Sequence, residues 1–253
     1  MATLWQQKIK GTHYEVRVAG NSRRLYSDGV FHSQYNPLRL ITGTLWDLLM
    51  LPAFFHVPGT IKRVLVLGLG GGTVVHQLLH FVRPAHIACV ELDPVHITIA
   101  RRFFGITQRN VELHRADAKL WLESYQGPGF DMIIDDLFGE QQGQPVRAIQ
   151  ANAMWFRLLA RHLAPMGTLV VNFVSRHEMH QSGYFSAKSV ARQFEAVFQL
   201  TDPCCDNAIG AFLRQGATSR ILRERLKTAP GLGTVLKNGK LRYRIRFTKA
   251  KVK

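Results

Sequence analysis

With 253 residues, 46% of them hydrophobic, this chain can bury a full core, and it contains no apolar run of the ~18 residues that a membrane span requires. Its N-terminus, MATLWQQKIKGTHYEV, lacks a signal-peptide core, and Cys89, Cys204 and Cys205 form neither a disulfide framework nor a zinc pattern, so a cytoplasmic protein is expected. The net charge of +16 is uneven: from Arg214 onward, thirteen lysines and arginines stand against Glu224 alone.

Residues 8–34 alternate in short runs broken by turn formers. Tyr14, Val16 and Val18 share one strand face, Gly20-Asn21-Ser22 turns the chain, Arg24 to Tyr26 returns it, and Asp28-Gly29 turns it again into Val30-Phe31. A small antiparallel β-element over 1–36 is the expected first unit, with an N-terminal extension of the main sheet as the alternative. Leu38 to Phe55 then carries apolar residues at helical spacing, ended by Pro52 and Pro58-Gly59. Trp46 here, like Trp155 later, reads as core.

Val64-Leu65-Val66-Leu67 is continuously apolar, as a central parallel strand covered on both faces would be. Gly68, Gly70 and Gly72 follow, interleaved with Leu69 and Gly71, and Thr73 to Phe81 continues as a helix. Glycines at such a turn let backbone approach a ligand where a Cβ would collide, and the helix start offers amides to it. A second strand, Ile87 to Val90, delivers Glu91 and Leu92 about 20 residues on, the usual place for an acid that accepts hydrogen bonds from ribose hydroxyls. A dinucleotide fingerprint would need glycine at Thr73; G-x-G-x-G instead resembles motif I of class I S-adenosylmethionine-dependent transferases.

Pro94 to Phe104 reads as a helix, Val111 to His114 as a third strand with Asp117-Ala118 beyond its end, and Phe130 to Ile134 as a fourth ending in Asp135-Asp136. Alternating strands and helices imply a Rossmann-like α/β domain over 37–213: a mostly parallel sheet of seven strands with helices on both faces. Ligands in such sheets lie beyond the strand carboxyl ends, where Gly68 to Gly72, Glu91, Asp117 and Asp135-Asp136 converge. Gly139 to Gln144 is expected to be a loop covering that site, Arg147 to Leu163 a long helix, Thr168 to Val174 the fifth strand and Lys188 to Phe198 another helix. Leu200-Thr201 and Ala208 to Leu213 complete the sheet. His177-Glu178-Met179-His180 has the wrong spacing for a zinc helix, and no metal site is expected.

Residues 214–253 form a basic extension. Asn238-Gly239 between alternating runs predicts a β-hairpin with Lys240, Arg242, Arg244 and Arg246 on one face and Leu241, Tyr243, Ile245 and Phe247 on the other. The cationic face is expected to suit nucleic acid or another acidic partner.

The DGV turn at 28–30, VLVLGLGGG at 64–72, VELD at 90–93, Ala116-Asp117-Ala118 and FDMIIDD at 130–136 together resemble the spermidine synthase (polyamine aminopropyltransferase) family, particularly its divergent bacterial members, over roughly residues 14–213. The resemblance implies that Glu91 binds the ribose hydroxyls and Asp117 the adenine amino group of a sulfonium cofactor, that Asp136 is the catalytic base, and that the protein forms a homodimer. Three departures stand out. The aspartate that the family's glycine loop carries is Gly71 here, the second acceptor-gripping acid is Gly139, and a glutamine after the DGV turn is His32. Without those acids the expectation shifts from aminopropyl transfer to methyl transfer from ordinary S-adenosylmethionine, its carboxylate held by backbone amides at 70–73. An aminopropyltransferase using the decarboxylated cofactor on an altered amine acceptor is the alternative, and a nucleic-acid-binding protein with a vestigial cofactor fold the other.

Overall fold

A computed structural model of the chain describes residues 1–141, 144–203 and 205–250, with Glu140 described by its backbone only. Strands β1 (Ala2–Ile9), β2 (Thr12–Ala19), β3 (Ser22–Ser27) and β4 (Val30–Tyr35) form an antiparallel meander. Its tight turns hold Lys10, Gly11, Asp28 and Gly29 at positive φ, the backbone that two-residue hairpins demand. The expected small β-element is therefore present, extended by a first strand that the sequence pattern did not suggest. Val16 and Leu25, fully buried on its inner face, pack against Ile99 and Phe104 of the larger domain.

Helix α1 (Leu45–Met50) is followed by a 3₁₀ turn, Leu51–Phe55. The helix is shorter than expected because buried Asp47 organises the residues before it: its carboxylate accepts from the amides of Thr42 (2.9 Å) and Gly43 (2.7 Å) and from Gln77 Nε2 (2.6 Å). Then come β5 (Arg63–Leu67), α2 (Thr73–Gln77), β6 (His86–Glu91), α3 (Pro94–Arg102), β7 (Val111–Arg115), α4 (Ala118–Ser124) and β8 (Phe130–Asp135). The helix expected to run from Thr73 to Phe81 ends in a π turn over Leu78–Val82.

Beyond β8 the expected covering loop is an antiparallel ribbon, β9 (Phe138–Gln141) with β10 (Gln144–Arg147); Gln142 and Gly143, part of that expectation, lie outside the described residues. The long helix expected from Arg147 is also corrected. Asn152 caps α5 (Ala153–Arg161), its side chain accepting from the amides of Met154 and Trp155, so the helix starts only there. Next are β11 (Leu163–Phe173), α6 (Arg176–Gln181), α7 (Gly183–Ser186), α8 (Lys188–Ala191), β12 (Ala196–Thr201), β13 (Ala208–Leu213), α9 (Ser219–Thr228), α10 (Leu232–Lys237) and β14 (Arg244–Thr248).

The main sheet has eight strands, not seven, in the order β14-β12-β13-β11-β8-β5-β6-β7. Strands β11, β8, β5, β6 and β7 are parallel, with Val66 opposite Cys89 on one side and Ile134 on the other. The eighth strand comes from the basic segment. Its expected hairpin is replaced by α10 and by β14, which pairs antiparallel with β12 rather than with its own neighbours. Leu222, Leu226, Leu232 and Leu241 bury this segment into the core that contains Val64 and Val66, while Leu65 and Leu67 face a second core with Leu122, Trp155 and Leu159. Two covered faces explain the uninterrupted apolar run of β5. Among the described residues no helix is long and apolar enough to cross a membrane.

Candidate active site

The carboxyl ends of the parallel strands and the inner edge of the meander enclose a cleft of about 610 Å³, a size suited to a nucleoside-sized ligand. Of the residues expected to bind a cofactor, Gly68, Leu69, Gly70, Glu91, Leu92, Asp117 and Ala118 line it, and Asp136 lines it too. Gly68 (φ +86°) has no room for a side chain: a Cβ would lie 2.2 Å from the Asp136 carbonyl oxygen. The glycine turn is thereby pressed against the end of β8, bringing it and Asp136 together.

Glu91 organises the glycine-loop side of the cleft. Its Oε2 accepts from the amides of Leu69 (2.9 Å) and Gly70 (3.3 Å), and its Oε1 from that of Asp93 (2.9 Å). Burial alone would raise its pKa, but His96, with Nδ1 3.9 Å from Oε2, and the Asp93 and Leu69 amides hold it down to about 2. It is therefore ionised at any working pH, with lone pairs left for hydroxyl donors. His96 bonds Ser27 Oγ (2.8 Å), and Tyr14 donates to Asp93 (2.6 Å), so the meander is tied to the same corner. His32 stands 5.0 Å from His96, ring to ring; burial and that neighbour push its pKa down to about 4, leaving it neutral. Asp117 caps α4 through Oδ1, which accepts from the Leu120 amide (2.9 Å), and still faces the cleft.

The two acids at the end of β8 part company. Successive strand residues face opposite sides, and Asp135 turns into the protein, fully buried, accepting from Arg147 (2.7 Å) and Trp155 Nε1 (2.8 Å). It is a structural acid rather than a cleft residue, a correction to its expected place beside the cofactor. Asp136 faces the cleft, and Asn172 Nδ2 donates to its Oδ1 (2.7 Å), while Asn207 donates to Asn172 Oδ1 (3.0 Å). Burial, with the charges of Asp135 and Glu91, lifts its pKa to about 6 against the pull of Asn172 and Arg147. Asn172 and Asn207 were missed at the level of sequence. A lone asparagine at the carboxyl end of an apolar strand, TLVVNFV, was the available sign.

The sequence profile of the spermine/spermidine synthase domain matches residues 47–205. The chain belongs to that family. Among curated relatives, a polyamine aminopropyltransferase 2 of Ralstonia nicotianae is 26% identical over 186 residues, 61% of this chain and 36% of that protein. A polyamine aminopropyltransferase of Vibrio vulnificus is 28% identical over 136 residues, 53% of this chain and 44% of that one, so the chain spans less than half the length of these relatives. A probable spermidine synthase from Corynebacterium glutamicum shares the fold, with a TM-score of 0.71 at 19% identity over 98% of this chain and 91% of that one. The family resemblance read from the motifs is thus established.

Within this spermidine synthase-like frame the glycine departures take on different meanings. Gly71 and Gly72 lie behind the cleft wall. A Cβ at Gly71 would come 2.8 Å from the Phe104 ring and 2.9 Å from Ser33 Cβ, so no acid can stand there without rebuilding the contact. Gly139 is open, with nothing within 4 Å of an added Cβ. Three of the four loop amides expected to hold a cofactor carboxylate are occupied: Gly70 donates to Glu91, Gly71 to Ser33 Oγ (2.7 Å) and Gly72 to the Leu69 carbonyl (2.8 Å).

Proposed function

We propose that this chain is an aminopropyltransferase that uses decarboxylated S-adenosylmethionine and an amine acceptor. The observation that carries the reading is the charge of the cleft. Asp28, Glu91, Asp93, Asp117 and Asp136 line it and, among the described residues, no lysine or arginine does, in a chain of net charge +16. Such a wall favours a ligand with cationic groups and disfavours a carboxylate. With the amides of Gly70, Gly71 and Gly72 already used, the glycine loop offers ordinary S-adenosylmethionine little to bind its carboxylate. The names of the relatives agree with this ordering, which reverses the preference drawn from the missing acids alone.

In this reading Glu91 accepts the ribose hydroxyls, and the free oxygen of Asp117 accepts the adenine amino group. Bound cofactor supplies an electrophilic methylene: the amine lone pair forms the C–N bond there, the C–S bond breaks with its electrons kept by sulfur, and methylthioadenosine leaves. Asp136 takes the proton that the amine nitrogen loses and releases it to solvent. A pKa of about 6 keeps it ionised at neutral pH while making it a stronger base than an ordinary carboxylate. Asn172, held by Asn207, fixes the carboxylate through Oδ1 and leaves Oδ2 for the amine.

Methyl transfer from S-adenosylmethionine remains the second reading, favoured by Gly71, where the packing admits no acid to pair a cofactor amine. Isothermal titration with both cofactors tests the choice. The decarboxylated form is expected to bind at least tenfold tighter, about 1.4 kcal/mol; tighter binding of S-adenosylmethionine would overturn the assignment to aminopropyl transfer.

A further inference from the structure

The fold fixes the basic segment, which the cleft chemistry does not use, at one edge of the molecule. Every lysine and arginine from Arg220 to Lys249 except Arg225 is exposed. On α9, Arg220, Arg223 and Lys227 occupy the face opposite the buried Leu222 and Leu226. Helix α9 packs against β14, and the charge of Arg223 reaches Tyr243, immediately before that strand. The outer face of the helix and the strand therefore adjoin.

Among the described residues β14 pairs with β12 alone, so it is the edge of the sheet, and none of its residues lines the cleft. Its side chains alternate. Ile245 and Phe247 stand opposite Leu200 and Phe198, on the side of the sheet that α9 covers, and Arg244 and Arg246 point to the other. Ile245 is half-buried, but the Phe247 ring, edge-on to Phe198 at 5.5 Å, is 53% exposed. Charged side chains alone would blunt a sheet edge against pairing with another chain; a half-exposed phenyl on the same edge works against that purpose. Glu224 on α9, Glu195 before β12 and Asp206 between β12 and β13 are exposed acids on the bordering elements, the first paired with Arg220 at 2.7 Å, and the cations outnumber them.

We propose that the outer face of α9 and the edge of β14 form a binding surface for single-stranded nucleic acid, with phosphates on Arg223, Lys227, Arg244 and Arg246 and a base stacked on Phe247. A phosphate backbone is the polyanion that a row of solvated cations fits, and releasing its counterions favours the complex. An open phenyl suits the face of a base, which a single strand leaves free and a duplex keeps in its own stack. An acidic peptide would satisfy the cations and leave the ring unused. The surface and the cleft share no residue, so the strand binds whether or not the chain transfers an aminopropyl group.

Fluorescence anisotropy of a labelled oligouridylate of about 20 nucleotides, titrated with the full chain, reads the surface directly. With about four phosphates neutralised, the Kd is expected to rise about fiftyfold between about 50 and about 200 mM salt. Replacing Arg244 and Arg246 together by glutamine should lower the slope of log Kd against log salt by about 1.4, and replacing both by lysine should leave it unchanged. Phe247→Leu keeps an apolar group against Phe198 but removes the stacking face, and should weaken binding about tenfold at the same slope. Phe247→Tyr restores a ring and should bind as the parent does, a recovery that a folding defect would not show. Saturating methylthioadenosine should leave the oligonucleotide bound. The proposal is overturned by absence of binding at the lower salt, by equal affinity for a duplex of the same length or for polyglutamate, by a Kd untouched by Phe247→Leu, or by displacement with methylthioadenosine.

Discussion

The acid-lined cleft and the basic segment that follows Arg214 each gather like charges, yet their surroundings differ. In the cleft Glu91 is held by three amides and His96, Asp93 by Tyr14 and the start of α3, and Asp136 by Asn172. Desolvation raises both carboxylates, but the partners decide the outcome: His96 and the amides bring Glu91 down to about 2, while Asp136, with less to oppose its burial, stands at about 6. In the basic segment Arg220 pairs with Glu224 on an exposed helix face, and Arg223, Lys227, Arg244 and Arg246 are exposed. Arg214 and Arg225 are the contrast within that segment: they donate to backbone carbonyls of Ala160, Leu163 and Phe55 and act as stitches between elements. The same formal charges thus serve chemistry, cohesion or solubility according to how much water they have lost.

Neutralising Asp136 tests that contrast, and its proposed role as base, most sharply. Asp136→Asn is expected to lower kcat by about 10²–10⁴-fold while changing cofactor affinity by less than about threefold, because an amide can still accept from Asn172 but takes no proton. For the unmodified chain, kcat should fall about tenfold per pH unit below about 6. Stability should move the other way. A carboxyl whose folded pKa lies above its unfolded value of about 4 binds more protons when folded between those two pH values, so the chain loses stability as pH rises from 4 to 6. Asp136→Asn removes that loss and should be more stable than the parent at pH 8, by on the order of 1 kcal/mol in urea unfolding. A destabilised variant would show that Asp136 is instead part of the structural network.

Its neighbour should behave in the opposite sense. Arg147→Ala leaves the fully buried Asp135 with Trp155 but no cation, and is expected to cost about 3–5 kcal/mol in the same urea measurement. Activity per folded molecule should fall less than in Asp136→Asn.

How much of this was legible in the sequence follows from how local each determinant is. Val64 to Leu67, Ile87 to Val90 and Phe130 to Ile134 could be read as strands because both faces of a central parallel strand are covered and the run stays apolar. The same argument fails for residues 196–201: an apolar run of that length is as compatible with a buried helix, and only pairing with β13 and β14 decides it. In the basic segment the turn at Asn238-Gly239 and the alternation beyond it were visible. What the turn could not specify was the partner strand, β12, some forty residues earlier. At the site both Asp135 and Asp136 were expected to meet the ligand; the two face apart, and Asp135 is drawn inward by Arg147 and Trp155, which the sequence around β8 does not show. Gly71 was legible as a missing acid and not as a packing contact with Phe104, because that contact is tertiary.

A smaller effect is expected on the cofactor side. Glu91→Gln keeps the shape but replaces one acceptor oxygen by a donor facing the amides of Leu69 and Gly70, so the loop must rearrange. Cofactor Kd should rise about tenfold, near 1.4 kcal/mol, with the amine KM changed much less. Equal weakening of both would mean that Glu91 positions the whole cleft and not the ribose alone.

The smallest effect belongs to the exposed charges. Arg220, Arg223 and Lys227 lie at i, i+3 and i+7 on the outer face of α9, whose inner face buries Leu222 and Leu226. Replacing all three by alanine should change stability by less than about 0.5 kcal/mol, since an exposed pair such as Arg220–Glu224 is screened by water and salt. The same variant should elute from a phosphate matrix at lower salt than the parent, because retention there follows the number of accessible cations. Unchanged elution would place the anion-binding surface elsewhere, with the exposed Arg244 and Arg246 of β14 the next to replace. A large stability loss, in contrast, would mean that these side chains work as Arg214 and Arg225 do, and the division between solvated and structural cations would have to be redrawn.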